Sequence, residues 1–217
     1  PGEISLAHHG VLFLDELAEF RRETLEILRQ PMEEHCVKLA RLAGNYEFPS
    51  DFMLVAAMNP CRCGYYPDLN RCHCTKGMVE QYLKKISQPL LDRIDICVET
   101  KRVEYQDLIK ENPHQETSAE IRKRVVAATE RQQQRFVGTN IRYNSRIPAA
   151  LLTKYCRLST KQKQYMESIY QKTARSYHRI LRVARTIADM DGSDEILTRH
   201  LSEAVCYRNV DKKFWEG

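Results

Sequence analysis

The sequence predicts an α/β fold: a core of parallel strands with flanking helices over residues 1–138, then an all-helical region over residues 139–217. Three observations carry this expectation. Val11 to Leu14 and Phe52 to Met58 are short apolar runs of the kind that form buried strands. Each run stops at polar residues, Asp15-Glu16 and Asn59-Pro60, as strands do at the rim of a sheet. Beyond Thr117 the apolar residues recur only at helical spacing.

Taken in order, Glu19 to Gln30 reads as a helix with Leu25 and Leu28 inward, ending before Pro31. Cys36 to Tyr46 reads as a hairpin turning at Gly44-Asn45 and leading into the second strand. Gly77 to Ile86 carries Val79, Leu83 and Ile86 at helical spacing and delivers the chain to Leu90-Leu91-Asp92-Arg93, before a third apolar run, Ile94 to Val98. Thr117-x-x-Glu120 is a capping box for a helix to about Phe136 with Ile121 and Val125 inward. Gly138 to Pro148 is a polar connection. Four helices follow: Pro148 to Tyr155, one capped by Ser159-x-x-Gln162 and running to about Lys172, Ser176 to Met190, and Thr198 to Tyr207. On the third of these, Ile180, Leu181, Ala184, Ile187 and Ala188 share one face, and Arg175, Arg179 and Arg182 the opposite one.

The chemistry-bearing residues sit where these elements end. Adjacent carboxylates after an apolar strand have the form of a Walker B motif, in which Asp15 holds Mg2+ of a bound nucleotide and Glu16 polarises water. A core strand followed by a helix whose first turn favours acids explains the same residues. Asn59, at the end of a neighbouring strand, suits the sensor 1 role of holding that water. Arg93 stands where ring ATPases place an arginine that reaches the next subunit's nucleotide. Thr173-Ala174-Arg175 opens a helix whose first residues can face phosphate. Lys38 and Arg41 on the hairpin are either substrate contacts or exposed turn charges.

Composition bounds the partners. Of 217 residues, 42% are hydrophobic and 29% charged, an ordinary globular balance with no membrane-length apolar run and no signal-peptide pattern, which points to a cytoplasmic protein. Residues 1–100 hold 11 Lys/Arg against 15 Asp/Glu, whereas residues 101–217 hold 23 against 14. The basic half suits DNA or another anionic partner, although a solvated helix face has the same composition. Four of the eight cysteines form Cys61-Arg62-Cys63 and Cys72-His73-Cys74, two C-x-C pairs around a turn rich in Gly, Pro, Asp and Asn. Four thiolates so placed suit one structural Zn2+, with His73 as a substitute ligand; free thiols and a disulfide are the alternatives. Cys36, Cys97, Cys156 and Cys206 read as small core residues.

The segments Gly10 to Leu17, Val55 to Cys61, Leu91 to Asp95 and Tyr177 to Asp189 together closely resemble the magnesium-chelatase-like AAA+ ATPases of bacteria, in their competence-associated branch. The resemblance runs over essentially the whole chain. It implies a partial P-loop NTPase core and a helical lid, with Walker B at Asp15 and Glu16, sensor 1 at Asn59, an arginine finger at Arg93 and sensor 2 at Arg175, with Arg179 and Arg182 on the same helix. It further implies ATP and Mg2+ as cofactors, a homo-oligomeric ring, a hexamer, and DNA remodelling such as branch migration. A chelatase subunit or chaperone acting on a protein is the second reading, against which the cysteine loop weighs. A zinc-stabilised nucleic-acid-binding module is the third. One part of the pattern is missing: no glycine-rich turn ending in Gly-Lys-Ser/Thr occurs, and Pro1 stands only fourteen residues before Asp15. The expectation is a C-terminal portion of a longer protein that does not hydrolyse ATP by itself.

Overall fold

The computed structural model describes residues 2–42, 44–100, 116–169 and 174–215. The chain divides into two compact units, Pro1–Ile94 with Asp211–Gly217, and Asp95–Val210.

The first unit is α/β. A short helix α1 (Glu3–Leu6) precedes strand β1 (Val11–Leu14), a 3-10 turn (Leu17–Glu19), and helices α2 (Arg22–Ile27) and α3 (Arg29–Glu34). The hairpin β2 (Cys36–Arg41) and β3 (Gly44–Pro49) follows, then β4 (Met53–Ala56), α4 (Lys76–Leu83) and α5 (Gln88–Leu91). β1 and β4 pair in parallel, with Val11 opposite Met53 and Leu14 opposite Ala56. β2 and β3 pair antiparallel in a separate sheet. Leu17, Leu25, Leu83, Ile86 and Leu90 are buried together, and Leu12 and Leu14 pack against them.

Several expectations are corrected here. The two strands are not buried on both faces: Val11, Phe13, Met53 and Val55 are 57%, 58%, 64% and 40% exposed. Inward and outward residues alternate along β1, as on a sheet with one covered face. The second strand is also shorter than Phe52 to Met58. Pro31 does not end a helix; the chain bends at Leu28, and Pro31 falls in the first turn of α3, where a missing N–H costs nothing. Gly44 and Asn45 belong to the ladder, opposite Arg41 and Ala40, instead of forming the turn. Ile94 to Val98 forms no strand; Cys97 N donates to Tyr207 O at 3.0 Å.

The second unit is helical. It contains α6 (Ser118–Arg135), 3-10 turns at Asn144–Arg146 and Ala149–Leu151, and α7 (Leu152–Tyr155), followed by α8 (Thr160–Ile169), α9 (Ala174–Met190) and α10 (Thr198–Trp215) as far as Val210. Both capping boxes form. Thr117 N donates to Glu120 Oε2 at 2.7 Å and Glu120 N to Thr117 Oγ1 at 3.3 Å, while Ser159 N donates to Gln162 Oε1 at 2.6 Å. Ile147, Ala184, Ala188, Leu201 and Ala204 are wholly buried at the centre of this unit. The inward face of α6 differs from expectation: Ile121 and Val125 are exposed, and burial begins at Ala128 and Gln132. There the helix meets a buried polar knot. Arg135 pairs with Asp189 of α9; Asn144 donates to Asp189 Oδ2 at 2.8 Å; Gln132 Oε1 accepts from Asn144 N at 2.8 Å. This knot ties α6 to α9, both within the unit Asp95–Val210.

Candidate functional site

The ends of β1 and β4 lie side by side because the strands are parallel and in register. Beyond the ladder, Ala57 N donates to Leu14 O at 3.0 Å and Leu17 N donates to Ala57 O at 2.9 Å, which closes the Asp15-Glu16 turn against the end of β4. Asp15 and Glu16 are exposed, and Leu17 and Ala18 directly after them are buried at 3% and 0%. Buried anchors thus hold two carboxylates in solvent at the carboxy edge of the sheet. Asp15 Oδ1 accepts from Glu16 N at 2.9 Å. Glu16 itself is left-handed, at φ 51°, a conformation that costs a side-chain-bearing residue roughly 1–2 kcal/mol. Backbone strain of this kind collects at functional sites.

Asn59 is exposed two residues beyond Ala57, at the same edge. A Cβ placed on Gly64 would stand 3.7 Å from its Cγ and Oδ1, so the cysteine loop passes against the carboxamide. Gly64 is left-handed at φ 76° and its N–H donates to Cys61 O at 3.0 Å, a turn that suits glycine.

The loop gathers its four thiols. Cys61 Sγ lies 3.4 Å from Cys63 Sγ and 3.8 Å from Cys72 Sγ, and the Cys63 and Cys72 sulfurs are 3.5 Å apart. All four sulfurs, with Cys74, fall within 4.8 Å of one another. An ion bound tetrahedrally at about 2.3 Å from each sulfur requires sulfurs about 3.8 Å apart, so the set fits Zn2+. Tyr66 N donates to Cys61 Sγ at 3.4 Å. The backbone N–H at Tyr65 lowers the Cys63 thiol to about 6. At Cys72 the backbone at Cys74 acts downward, but burial and the neighbouring Cys63 and Cys61 sulfurs outweigh it and push the thiol up to about 12. A dication relieves that crowding of negative charge. Among the other cysteines Cys36 and Cys156 are buried as expected, Cys97 is half-buried, and Cys206 is exposed, which corrects its placement in the core.

Arg93 was expected to be available to a neighbouring subunit. In this chain it is held inside the first unit, its side chain 6% exposed, with Nη2 2.7 Å from Glu33 Oε2 and Nη1 donating to Pro89 O at 2.5 Å. The helix-face arginines also turn inward. Arg182 donates through Nε at 3.0 Å and Nη2 at 2.7 Å to Ile147 O, and Arg179 pairs with Asp95 at 2.5 Å. The side chain of Arg175 lies outside the described residues. On the hairpin, Lys38 pairs with Glu34 at 2.7 Å, whereas Arg41 sits exposed beside the tip. Sequence reasoning missed Glu33 and the Asn144–Asp189 contact; Gly64 was read as part of the turn between the C-x-C pairs, but not as a neighbour of Asn59.

These features have counterparts in known proteins. Residues 1–108 match the family described as magnesium chelatase, subunit ChlI, and residues 115–208 match that described as magnesium chelatase, subunit ChlI C-terminal. The chain belongs to the magnesium-chelatase-like family. It is similar to the protein YifB of Salmonella typhimurium, 41% identical over 98% of this chain and 42% of that protein, and to YifB of Escherichia coli K12, 42% identical over the same shares. It is similar too to the competence protein ComM of Haemophilus influenzae, 40% identical over 96% of this chain and 40% of that protein. The chain therefore spans less than half the length of these curated relatives. Among the described residues no helix is long and apolar enough to cross a membrane.

Proposed function

We propose that this chain supplies the hydrolytic edge of an AAA+ ATPase, a ring motor that turns ATP hydrolysis into work on DNA. The observation that carries the reading is the convergence of Asp15, Glu16 and Asn59 on one edge of a parallel strand pair. Their chemistry fits a metal-bound nucleotide: an exposed carboxylate for Mg2+ at Asp15, a second one at Glu16 to take a proton from water, and a carboxamide at Asn59 to orient that water. Bound Mg2+ would neutralise phosphate charge. Phosphate affinity itself needs a glycine-rich loop supplied elsewhere in the longer protein.

Arg93 acts in trans in an assembled hexamer, where a neighbour's phosphate replaces Glu33 as its partner. Arg175 serves as sensor 2, because Arg182 is committed to the Ile147 carbonyl and Arg179 to Asp95. The four-cysteine loop holds one structural Zn2+, supported by the sulfur separations. DNA as the substrate, with branch migration as the work done, is supported by the basic half of the chain and by similarity to a protein named for competence. The chelatase description of the family favours a second reading, a motor acting on a protein partner. Stimulation of turnover by DNA separates the two.

The reading is tested in the longer protein by Glu16→Gln. ATP binding is retained and turnover falls by roughly 10²–10⁴-fold, as loss of a general base requires. Unchanged turnover places the reaction at another carboxylate.

A further inference from the structure

The metal loop and the nucleotide edge are one piece of chain. Asn59 is separated from the first thiol, Cys61, only by Pro60. On its other side Asn59 lies two residues beyond Ala57, whose backbone is bonded to both Leu14 and Leu17. Cys61 is wholly buried and belongs to the same core cluster as Leu17 and Ala18, the anchors of Glu16. The loop then folds back through the left-handed Gly64 beside the Asn59 carboxamide, where an added methyl would stand in ordinary van der Waals contact, 3.7 Å from Oδ1. Two of the four sulfurs, at Cys61 and Cys63, therefore flank the turn that borders Asn59, and the other two arrive from the far end of the loop, directly before Thr75 caps α4 by accepting from Met78 N at 3.3 Å.

We infer that a divalent ion held by Cys61, Cys63, Cys72 and Cys74 sets the position of the Asn59 carboxamide, so that metal occupancy of the loop regulates the hydrolytic edge. This rests on the Zn2+ reading of the cluster. With the ion in place, the Cys61-to-Gly64 turn is fixed from both ends and Asn59 has one position. Without it, the loop's few apolar residues leave the turn to open, and Asn59 moves while β1, β4 and Glu16 stay paired. Asn59 is thus a positioned residue, and the turn through Gly64 links it to the ion.

The test uses this chain, purified under reducing conditions, with its zinc content measured by elemental analysis and its asparagine side-chain amides observed by 1H–15N correlation spectra. The Asn59 signal is identified by its loss in Asn59→Asp. The expected result is about one Zn2+ per chain, and an Asn59 signal that shifts or broadens when zinc is chelated and returns when Zn2+ is added. The Asn45 signal of the hairpin and the Asn144 signal of the helical unit stay in place. Gly64→Ala provides a second variant: it keeps its zinc, and because alanine is strained at φ 76° the turn shifts and carries the Asn59 signal with it. In the longer protein it lowers kcat by on the order of tenfold to a hundredfold with little change in KM for ATP, as misplacement of a water-orienting group does. Zinc that binds and leaves without moving Asn59 overturns the inference while the metal site stands. Joint movement of Asn45 and Asn59 also overturns it, because the ion then merely folds the unit. A chain that binds no zinc removes both the metal site and the inference.

Discussion

Replacing Arg93 by alanine separates a structural from a catalytic use of this side chain. The Arg93 side chain is 6% exposed and makes directed contacts to Glu33 Oε2 at 2.7 Å and to Pro89 O at 2.5 Å. A hydrogen bond involving a charged group contributes about 1.5–3 kcal/mol, and breaking a buried ion pair costs about 3–5 kcal/mol. Glu33 is 36% exposed and regains water when its partner leaves, so the lower end applies. Arg93→Ala should therefore destabilise the first unit by about 2–3 kcal/mol. Arg93→Lys should recover less than half of this, since an ammonium cannot reproduce the guanidinium fork. Amide hydrogen exchange over α3, which carries Glu33, and α5, which carries Pro89, reads the loss locally. Protection unchanged to within about 0.5 kcal/mol would mean that Arg93 stands free of Glu33, and the internal pairing described here would be wrong.

Two further outcomes follow from the helical unit. Asp189→Ala strips the carboxylate from the Arg185 guanidinium, itself 3% exposed, and should cost about 3–5 kcal/mol in denaturant titrations; a loss under 1 kcal/mol would show that the knot is not an ionic one. The hydrogen bond from the Thr117 backbone, then that from its hydroxyl, hold the Glu120 carboxyl below its ordinary 4.5, so its capping contribution is complete above that value and disappears as pH falls through the depressed one. Helicity at the start of α6 should accordingly fray in acid and do so less in Glu120→Gln, whereas identical acid profiles would remove the capping box from the account.

What could be read in the sequence was local. Both capping boxes form because donor and acceptor lie three residues apart. The cysteine cluster was visible for the same reason, two C-x-C pairs closing one loop. Asp15 follows β1 directly because a sheet's apolar run must stop where the strand meets solvent, whereas β4 ends at Ala56, three residues before Asn59. Features set by distant partners were hidden. Arg93 finds Glu33 sixty residues earlier, and Arg182 finds the Ile147 carbonyl thirty-five residues earlier. Nothing in helical periodicity distinguishes such an arginine from a solvated one. The Gly138 to Pro148 connection looked polar throughout, yet Asn144 and Ile147 are wholly buried, because Asn144 satisfies Asp189 and Gln132 from other helices. The outward faces of β1 and β4 were hidden for the opposite reason: an apolar residue states that it can be buried, not that something covers it.

The central claim is that Asp15, Glu16 and Asn59 form one hydrolytic edge, and a double-mutant cycle on kcat in the longer protein tests it most directly. Glu16→Gln and Asn59→Ala are measured singly and together at saturating ATP. Residues that handle the same water act as a unit, so the double variant should be about as slow as the slower single one. Losses that multiply, each variant slowing turnover by its full factor in the presence of the other, would show that the two strand ends serve separate steps and would contradict a single site.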